Sequence, residues 1–541
     1  MSNAYDVIVV GGGHNGLVAA AYLAKQGLRT VVLEKRPVVG GAAVSEHPFG
    51  PDYTVTSLSY VVSLFPPSLV RDLQLDRHGY HVYPQGPYFA PRRDGQYLQL
   101  PSDHARRREQ IQKFSSKDAD AIEAWDRKLD EIGRVLGPLL GDIPPKVGSR
   151  RPADLARQAL LLRRLKSVDA RKAVDITRLM TTSVADLVDD HFESDAMKGL
   201  LSVSGVIGTW AGPRSPGTAY VMLHHHLGDP GTGETGAWGF PRGGMGGVTQ
   251  ALAAAARSFG AEIRTDAGVA RISTTAGAAT GVVLESGDVL TARTVITTAH
   301  PQISFLQLLD RRDLPADFVE EIETWKSRSG TVKVNLAVDR LPEFAAKPGY
   351  DPEVHGGTIV LAESLDDIEG AFQEAVSGRP ATLPFADICI PSVFDDSLAP
   401  EGHHVVSMFT QWVPHTWNAE PHTDELESYA DRLVARMDEV APGFADSVLH
   451  RQIIGPYGME HDYHLIGGNI FHGELTVGQM FHARPAAGYA DLRTPIHGLY
   501  QAGSATHGGG GVTGVPGRNV VKQVLSDRRR ASLKRRAGLG G

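Results

Sequence analysis

The chain has 541 residues, of which 42% are hydrophobic and 21% are charged, so it is long enough for two domains with buried cores. Its formal net charge of −8 argues against a general nucleic-acid binder, which needs a basic face to neutralise phosphates. Cys389 is the single cysteine, which excludes an internal disulfide, a CxxC redox pair and a cysteine-based zinc site, and is compatible with a reducing compartment.

The N-terminal residues do not have the pattern of a secretion signal. An apolar strand begins at about Tyr5 without a basic segment before it, and a glycine-rich turn follows directly. The sequence has no run of 18 apolar residues, so no membrane-spanning helix is expected. We therefore expect a cytoplasmic protein, with peripheral contact to a membrane as an open alternative.

The first elements predict a βαβ-type opening. Tyr5–Val10 is a valine-rich run typical of a strand that is buried on both faces. Gly11–Gly16 form a turn, and Asn15–Gln26 carry alanine and leucine at helical spacing. Thr30–Leu33 is a second buried strand, so the order is strand, glycine-rich turn, helix and strand.

The glycine-rich turn has the spacing G-x-G-x-x-G that a dinucleotide requires. Gly11 would make the tight turn, Gly13 would let the backbone approach the pyrophosphate, and Gly16 would let the helix pack on the strand. The pyrophosphate then lies at the helix N-terminus, where free N–H groups favour negative charge. Glu34, at the end of the second strand, is placed to accept hydrogen bonds from the ribose hydroxyls.

The middle of the chain alternates helical and strand-like segments. From about residue 80 to residue 229, charged helix-favouring stretches alternate with proline and glycine breaks. A loop at Gly239–Gly247 leads into a helix at Val248–Phe259. Short β-rich segments follow at Glu262–Arg264, Val269–Thr274, Gly281–Glu285, Val289–Thr291 and Thr294–Thr298. The next part is mixed, with a strand at Thr331–Val338 and a helix at Thr423–Val440.

Two further glycine motifs favour a flavin over a plain nicotinamide domain. Gly40–Ala43 follows closely after Glu34, where the backbone of a flavoprotein must run near the phosphates and the flavin. Near the other end, Gly498–Gly514 contains a strand at Leu499–Ala502 and glycines that let the chain pass flat against a planar ring. A helix begins near Val515–Pro516, and its N-terminus can face the flavin edge where negative charge develops on reduction.

These signals at both ends and in the middle predict an α/β protein made of two interleaved domains. We expect a discontinuous Rossmann-type FAD-binding domain with an inserted α+β substrate domain. The FAD-binding domain is assigned to residues 1–80, 230–300 and 468–541, and the substrate domain to residues 81–229 and 301–467.

In this order and at these ends, the motifs resemble those of the phytoene desaturase and carotenoid ketolase family of FAD enzymes. The likeness covers nearly the whole chain, and its segments are Gly41–Val44, Trp238–Phe240 with Gly243–Gly246, Gly467–His472 and Pro516–Asn519. The chain departs from the family pattern at His507–Gly509, where desaturases tend to read His-Pro-Gly, and at Ala42, where many relatives carry arginine. Both departures are compatible with a flavin site, but they weigh against a carotenoid substrate.

The resemblance implies that FAD binds at the first motif and at the C-terminal segment, with the strand around Val269 close to the adenine through its backbone. The residues expected to bind FAD are Gly11, Gly13, His14, Asn15, Gly16, Glu34, Lys35, Gly41, Ala42, Ala43, Val269, Gly503, Ser504, Gly511, Val512 and Thr513. Disulfide chemistry within the chain is not expected, because Cys389 has no second cysteine to pair with.

Two histidines are candidates for proton transfer. His472 follows a glycine-rich turn, and His507 lies inside the segment that closes the flavin site. The alternative, that each bonds backbone in a crowded loop, is favoured over catalysis. His224–His226 and His403–His404 are not expected to bind metal, because neighbouring histidines on a strand point to opposite faces.

Two basic segments bear on membrane contact. Ala153–Val168 is predicted to be a helix with Leu155, Leu162 and Leu165 on one side and several arginines beside them. Packing of these leucines within the substrate domain is favoured over contact with a membrane. The tail, Arg528–Arg536, is also basic and is interpreted as a solvated end.

The sequence therefore predicts an FAD-dependent oxidoreductase that removes hydride from an apolar or amphipathic small molecule and passes electrons to oxygen, a quinone or another acceptor. A carotenoid desaturase or ketolase, a flavin-binding regulator with little turnover, and a redox-neutral isomerase are the alternatives. The expected partner is a lipophilic small molecule rather than nucleic acid, and a homodimer is left open.

Overall fold

The computed structural model describes residues 4–146, 148–231, 233 and 235–537. The strands of the described residues are β1 (Val7–Val10), β2 (Thr30–Leu33), β3 (Ser45–Glu46), β4 (Val55–Thr56), β5 (Val82–Pro84), β6 (Tyr88–Pro91), β7 (Tyr97–Leu100), β8 (Gly239–Pro241), β9 (Glu262–Arg264), β10 (Val269–Thr275), β11 (Ala278–Leu284), β12 (Val289–Thr291), β13 (Val295–Thr297), β14 (Thr331–Val338), β15 (Thr358–Leu361), β16 (Phe385–Cys389), β17 (His404–Gln411), β18 (Val448–Ile454) and β19 (Leu499–Gln501).

The α-helices of the same residues are α1 (His14–Lys25), α2 (Pro67–Leu73), α3 (His104–Gln112), α4 (Ser116–Gly141), α5 (Pro152–Leu165), α6 (Ala170–Thr181), α7 (Val184–Asp189), α8 (Asp195–Val206), α9 (Thr218–His226), α10 (Met245–Ser258), α11 (Ala316–Glu323), α12 (Pro352–His355), α13 (Leu365–Val376), α14 (Thr423–Val440), α15 (Pro456–His461) and α16 (Val515–Arg536). None of them combines the length and the hydropathy that a bilayer-spanning helix needs.

The first sheet is a parallel one of five strands, in the order β19-β13-β1-β2-β9. Its central strands are buried on both faces, which explains why they consist almost entirely of valine, isoleucine and leucine. Helices α1, α10 and α16 pack together on one face. Because strand order reverses at β1, the carboxyl end of β1 is the expected ligand crevice of such a sheet. The fold class predicted from the sequence is confirmed at this sheet.

The second sheet is a mixed one of seven strands, in the order β18-β14-β17-β16-β15-β6-β7. All neighbours in it are antiparallel except β6 and β15, which are parallel. Its core is shared with helices α4, α8, α9, α13 and α14. This sheet contributes Phe409 to the wall of the candidate site that lies opposite the glycine motifs.

Two segments differ from the domain boundaries assigned from the sequence. The segment from Ile303 to Ile322 packs with Ile8 and Val31 of the parallel sheet, so the boundary placed at residue 301 lies too early in the chain. Conversely, Phe471 and Leu475, assigned to the FAD-binding domain, pack in the core of the seven-stranded sheet. Both differences arise because tertiary packing, which the sequence pattern does not display, determines which sheet a connecting segment covers.

Helices α9 and α5 also differ from what the sequence suggested. The triplet His224–His226 ends helix α9, so the strand geometry used in the argument against metal binding does not apply there. On α5, Leu155 is 48% exposed, Leu162 is 64% exposed and Leu165 is 42% exposed. The prediction that these leucines pack within the substrate domain is therefore wrong.

Candidate active site

A cavity of about 570 Å³ runs from the carboxyl end of β1 to the seven-stranded sheet. Most of the predicted cofactor residues line it: Gly11, Gly13, His14, Asn15, Glu34, Lys35, Gly41, Ala42, Ala43, Val269, Ser504, Gly511 and Val512. Segments that are far apart in the sequence thus meet at one site, and its volume is in the range of protein ligand pockets.

Gly16, Gly503 and Thr513 do not line the cavity and lie behind its wall. For Gly16 this agrees with its predicted role in packing the helix on the strand. A Cβ on Gly16 would lie 2.1 Å from the carbonyl oxygen of Gly11, and one on Gly503 would lie 2.6 Å from that of Thr298. The hydroxyl of Thr513 donates to the carbonyl of Gly508 over 2.9 Å. These residues shape the backbone that the cofactor contacts.

The phosphate end of the cavity is a backbone cradle. The N–H of Gly40 donates to the carbonyl of Gly12 over 2.9 Å, which holds the second glycine pair against the first. A Cβ on Gly41 would lie 3.5 Å from the Cα of Gly13, so the two segments run close together. Helix α1 begins here without a side-chain cap and without an acid in its first turn. Its positive N-terminus is therefore left for an anion.

Glu34, for which the sequence predicts a bond to the ribose, lies at the end of β2 against the first glycine motif. One carboxylate oxygen accepts a hydrogen bond from the N–H of Gly12 over 2.7 Å, and the other accepts one from the N–H of Arg36 over 2.9 Å. The side chain is buried and lines the cavity. Because each oxygen has a further lone pair, the carboxylate can still accept bonds from two ribose hydroxyls.

The end of the cavity where the adenine is expected lies beside β10. Val269 and Ala270 line the cavity, and the pairing of β10 with β11 is irregular at this point. Lys35 forms a half-exposed ion pair with Glu285, whose nitrogen–oxygen distance is 3.0 Å. Lys35 and Glu285 therefore lie at the outer rim of the cavity, and contact between the Val269 backbone and an adenine stays a prediction.

We call the part of the cavity lined by His14, Asn15, His472 and Val512 the flavin end, because the flavin is expected there. It combines strained backbone with polar atoms that lack partners among the described residues. His472 has φ +57° and Val512 has φ +56°, a left-handed conformation that is an outlier for a β-branched residue. Nε2 of His14, Oδ1 of Asn15 and Nδ1 of His472 are buried, and none has a hydrogen-bond partner among the described residues. All three side chains line the cavity, so they fit a ligand that carries its own donors and acceptors, as FAD does.

Buried Arg484, which the sequence analysis missed, ties two walls of the flavin end together. Its guanidinium donates to the carbonyl of Phe471 over 2.9 Å and to that of Ser504 over 3.1 Å. Burial lowers its pKa to about 10, so it remains a cation at neutral pH. It lies in a loop without periodicity, and no sequence signal distinguished it.

The histidines of the cavity are neutral at pH 7. Burial, reinforced by the positive charge of Arg484, lowers the pKa of His472 to about 4. Burial, together with His472, lowers the pKa of His14 to about 3, and burial lowers that of His225 to about 4. Such imidazoles can accept a proton or a hydrogen bond, but they are not cations at neutral pH.

His507, the second catalytic candidate, does not line this cavity. Its Nε2 bonds to the carbonyl of Leu139 over 2.9 Å, and burial lowers the pKa of its ring to about 4. It lines a separate cavity of about 290 Å³ beside α5. The catalytic assignment of His507 is therefore corrected to the alternative, a histidine that bonds backbone in a crowded loop.

The wall opposite the glycine motifs is aromatic. The ring of Tyr60 stacks on Phe409 with centroids 5.8 Å apart and lies 6.4 Å from that of Trp238. His225 continues the row, with its ring 6.2 Å from that of Trp238 and 6.0 Å from that of Phe471. We call these five residues the aromatic wall; Leu58, Val61, Ile207, Leu465 and Ile470 complete the apolar lining around it.

A buried charged row lies directly behind Tyr60. Lys333, Phe409 and Asp387 are register partners on β14, β17 and β16, so their side chains share one face of the sheet. Nζ of Lys333 lies 5.4 Å from the ring centroid of Tyr60, and the Tyr60 hydroxyl donates to Asp387 over 3.1 Å. Sequence analysis missed this row, although a lysine inside the apolar run Thr331–Val338 was a signal for it.

Burial perturbs both charged members of this row. It lowers the pKa of Lys333 to about 7 and raises that of Asp387 to about 7. Lys333 also donates to Oδ1 of Asn335 over 2.7 Å and to the hydroxyl of Ser407, so its nitrogen is held in place. Groups that titrate near neutrality beside a cavity are typical of functional sites.

Four histidines of the two clusters bond to neighbouring protein groups. Nδ1 of His225 bonds to the carbonyl of Ser204, and His226 pairs with Asp130. His403 bonds to Tyr53, and His404 bonds to Ser392. Across the described ranges, histidine, cysteine, aspartate and glutamate do not come together in any group of three or more that could hold a metal ion.

Comparison with known proteins agrees with this geometry. Residues 16–517 match the model of a family described as flavin containing amine oxidoreductase. Pyridine nucleotide-disulfide oxidoreductase domain-containing protein 2 of Rattus norvegicus is 37% identical over 97% of this chain and 94% of its own. A limonene dehydrogenase chain of Castellaniella defragrans is 25% identical over 96% and 94%. The structure of cyclohexylamine oxidase from Brevibacterium oxydans has a TM-score of 0.60, with 16% identity and coverage of 97% and 99%, which shows the shared fold.

Proposed function

The chain belongs to the family of flavin containing amine oxidoreductases and is an FAD-dependent oxidoreductase, and on that premise we propose that it oxidises an apolar or amphipathic small molecule. A hydride leaves a C–H bond of the substrate, a proton leaves the neighbouring atom, and a double bond forms. FAD supplies the two-electron acceptor when bound. Oxygen, a quinone or another acceptor then takes the two electrons.

The glycine cradle and Glu34 would hold the dinucleotide half of FAD. In this proposal the first turn of α1 would face the pyrophosphate, Glu34 the ribose and Val269 the adenine, since all of them line the cavity. The buried atoms of Asn15 and His472 that lack protein partners would form hydrogen bonds with the flavin ring system. This assignment uses donors and acceptors that folding leaves unpaired, and such groups are costly unless a ligand pairs with them.

The aromatic wall is the observation that supports an apolar substrate. Among the described residues that line this end of the cavity, none is acidic, although Glu34 and Glu285 lie at the other end. Lys333, whose pKa of about 7 leaves it partly protonated at neutral pH, lies 5.4 Å from the ring centroid of Tyr60, so a protonated amine at this wall would face a partial like charge. A neutral substrate avoids that repulsion and gains from desolvation of the wall.

His472 is placed to receive the proton. Its ring is neutral, it lines the cavity, and Nδ1 is buried without a hydrogen-bond partner among the described residues. The hydrogen bond from Nε1 of Trp325 to the backbone carbonyl of His472, 2.9 Å long, fixes the segment that carries it. A neutral imidazole in a dry cavity can take a proton as the substrate loses it.

Anaerobic reduction of the FAD-loaded protein tests this proposal. Limonene and cyclohexylamine are a useful pair, because both contain a six-membered ring and only the amine is a cation at neutral pH. We expect an apolar alkene such as limonene to bleach the flavin absorption band and cyclohexylamine to leave it unchanged over the same time. Bleaching by the amine alone would contradict the apolar substrate.

The same experiment separates the alternatives. Bleaching by none of a panel of alkenes, alcohols and amines, with FAD still bound tightly, would favour a flavin-binding regulator. An isomerised product formed with pre-reduced FAD, without net electron transfer, would favour an isomerase. Conversion of phytoene would favour a carotenoid substrate.

A further inference from the structure

Helix α5 exposes apolar side chains that nothing in the described chain covers. Leu155 is 48%, Leu162 is 64% and Leu165 is 42% exposed, and Asp154 is the one buried residue of the helix. Their spacing of seven and three residues places the three leucines on one face, within about a quarter of a turn. This outward leucine face is therefore neither core nor scattered single residues.

The chain around this face is strongly basic. Residues 146–178 contain ten lysines and arginines and three aspartates, a net charge of +7 in a protein of −8. Arg163 and Lys166 flank the leucine face on α5, and both side chains are exposed. The basic C-terminal helix lies next to α5, because the guanidinium of Arg157 donates to Gln523 of α16 over 2.7 Å. Apolar residues rimmed by cations are the composition of an interfacial helix.

Beneath α5, the separate cavity of about 290 Å³ shows that the helix does not pack closely on the body of the protein. Leu160 and Leu161 line it from the helix, and Ile143 and Phe481 line it from the other side. His507 also lines it, and the same loop contributes Gly511 to the main cavity. This loop therefore links the surface at α5 to the candidate active site.

We propose that the leucine face of α5 docks on an anionic lipid bilayer, with the helix lying in the plane of the membrane. The leucines would enter the boundary between headgroups and acyl chains, and the basic residues would attract anionic lipid. A second copy of the chain is the less favourable occupant, because two surfaces of net charge +7 would face each other. The docked protein would receive a lipophilic substrate directly from the bilayer.

Cosedimentation of the FAD-loaded protein with vesicles tests the docking. Vesicles of pure phosphatidylcholine are compared with vesicles that contain one quarter phosphatidylglycerol, at low and at high salt. The test variant carries Leu155→Ser, Leu162→Ser and Leu165→Ser. The control carries Tyr350→Ser and Val376→Ser, two residues that are exposed to a similar degree on other elements.

The wild-type chain and the control are expected to bind the anionic vesicles, and the leucine variant to bind them at least about tenfold more weakly. Arg163→Gln with Lys166→Gln is expected to lower the preference for anionic over neutral vesicles, as high salt does. Absence of binding to anionic vesicles, or equal binding by the leucine variant, would overturn the proposal. Binding that is lost only in a variant with Arg529→Gln and Arg530→Gln would also overturn the proposal, because it would place the docking surface on the C-terminal helix. A dimer in solution that the leucine variant converts to a monomer would overturn it as well.

Discussion

Glu34 and Gly12 are joined by a hydrogen bond of 2.7 Å, from the backbone N–H of the glycine to the carboxylate. The acid at the end of the second strand thus holds the first glycine loop, and we predict that it also binds the ribose of FAD. We expect Glu34→Gln to weaken FAD binding about tenfold, because it removes a charge-assisted acceptor. The dissociation constant is measured by titrating apoprotein with FAD.

Glu285→Gln is the matched control for this change. Glu285 also lines the adenine end, but it is about half exposed and pairs with exposed Lys35. Exposed ion pairs contribute little, so FAD affinity should change less than about twofold. Equal losses for both variants would contradict a specific role for Glu34.

Gly13→Val is expected to lower FAD affinity by more than about tenfold while the apoprotein still folds. A Cβ on Gly13 meets no protein atom closer than the Gly40 carbonyl oxygen at 4.0 Å, so the added side chain competes with the pyrophosphate rather than with the fold. Bound FAD is measured by absorbance after gel filtration. Gly370→Val, in a helix where a Cβ has open space, is the control and should retain FAD. Full FAD content in Gly13→Val would contradict the placement of the pyrophosphate.

Much of the fold follows from local patterns. The strand Thr331–Val338 and the helix Thr423–Val440 have in the structure the bounds that the sequence predicted, because alternation and amphipathic spacing mark them clearly. The segment around Phe305 and Phe318 was placed with the wrong sheet, since an apolar residue does not indicate which core receives it.

Residues of the candidate site could be predicted where the chemistry of the ligand sets their spacing along the chain. The residues of the first glycine motif and Glu34 could be found because a dinucleotide needs them at set distances along the chain. Tyr60, Lys333 and Asp387 come from segments that are far apart, and only the register of the seven-stranded sheet brings them together. No local pattern in a single sequence contains that information.

His472 and His507 should respond differently to replacement by leucine. His472→Leu is expected to slow anaerobic flavin reduction about a hundredfold, because it removes the proposed proton acceptor. His507→Leu removes a bond to the Leu139 carbonyl, so it should lower the free energy of unfolding by about 1 kcal/mol and leave the rate within twofold. The rate is followed by flavin absorbance. Equal effects on the rate would contradict the distinction between the two histidines.

Lys333→Met should change how stability depends on pH. Burial lowers the pKa of Lys333 from 10.5 to about 7, so between these values the unfolded chain binds a proton that the folded chain does not. The wild-type fold therefore gains stability as pH rises through this window, and the variant lacks that gain. Any advantage in Tm of the variant over wild type should be largest near pH 7 and shrink toward pH 10.

Asp387→Asn should show the opposite dependence at lower pH. Burial raises the pKa of Asp387 from 3.8 to about 7, so the folded chain keeps a proton that the unfolded chain releases between these values. Wild-type stability therefore falls as pH rises from about 4 to 7, and the Tm of the variant should gain on wild type over that range. A constant difference in Tm at every pH would contradict the burial of this carboxyl.

The central claim is that one cavity, built from both ends of the chain, holds FAD. The most direct measurement is the visible absorption spectrum of the purified protein, with identification and quantification of the cofactor released on denaturation. The account predicts flavin bands and release of about one FAD per chain, or uptake of that amount by protein purified without it. A colourless protein that does not take up added FAD would contradict the account.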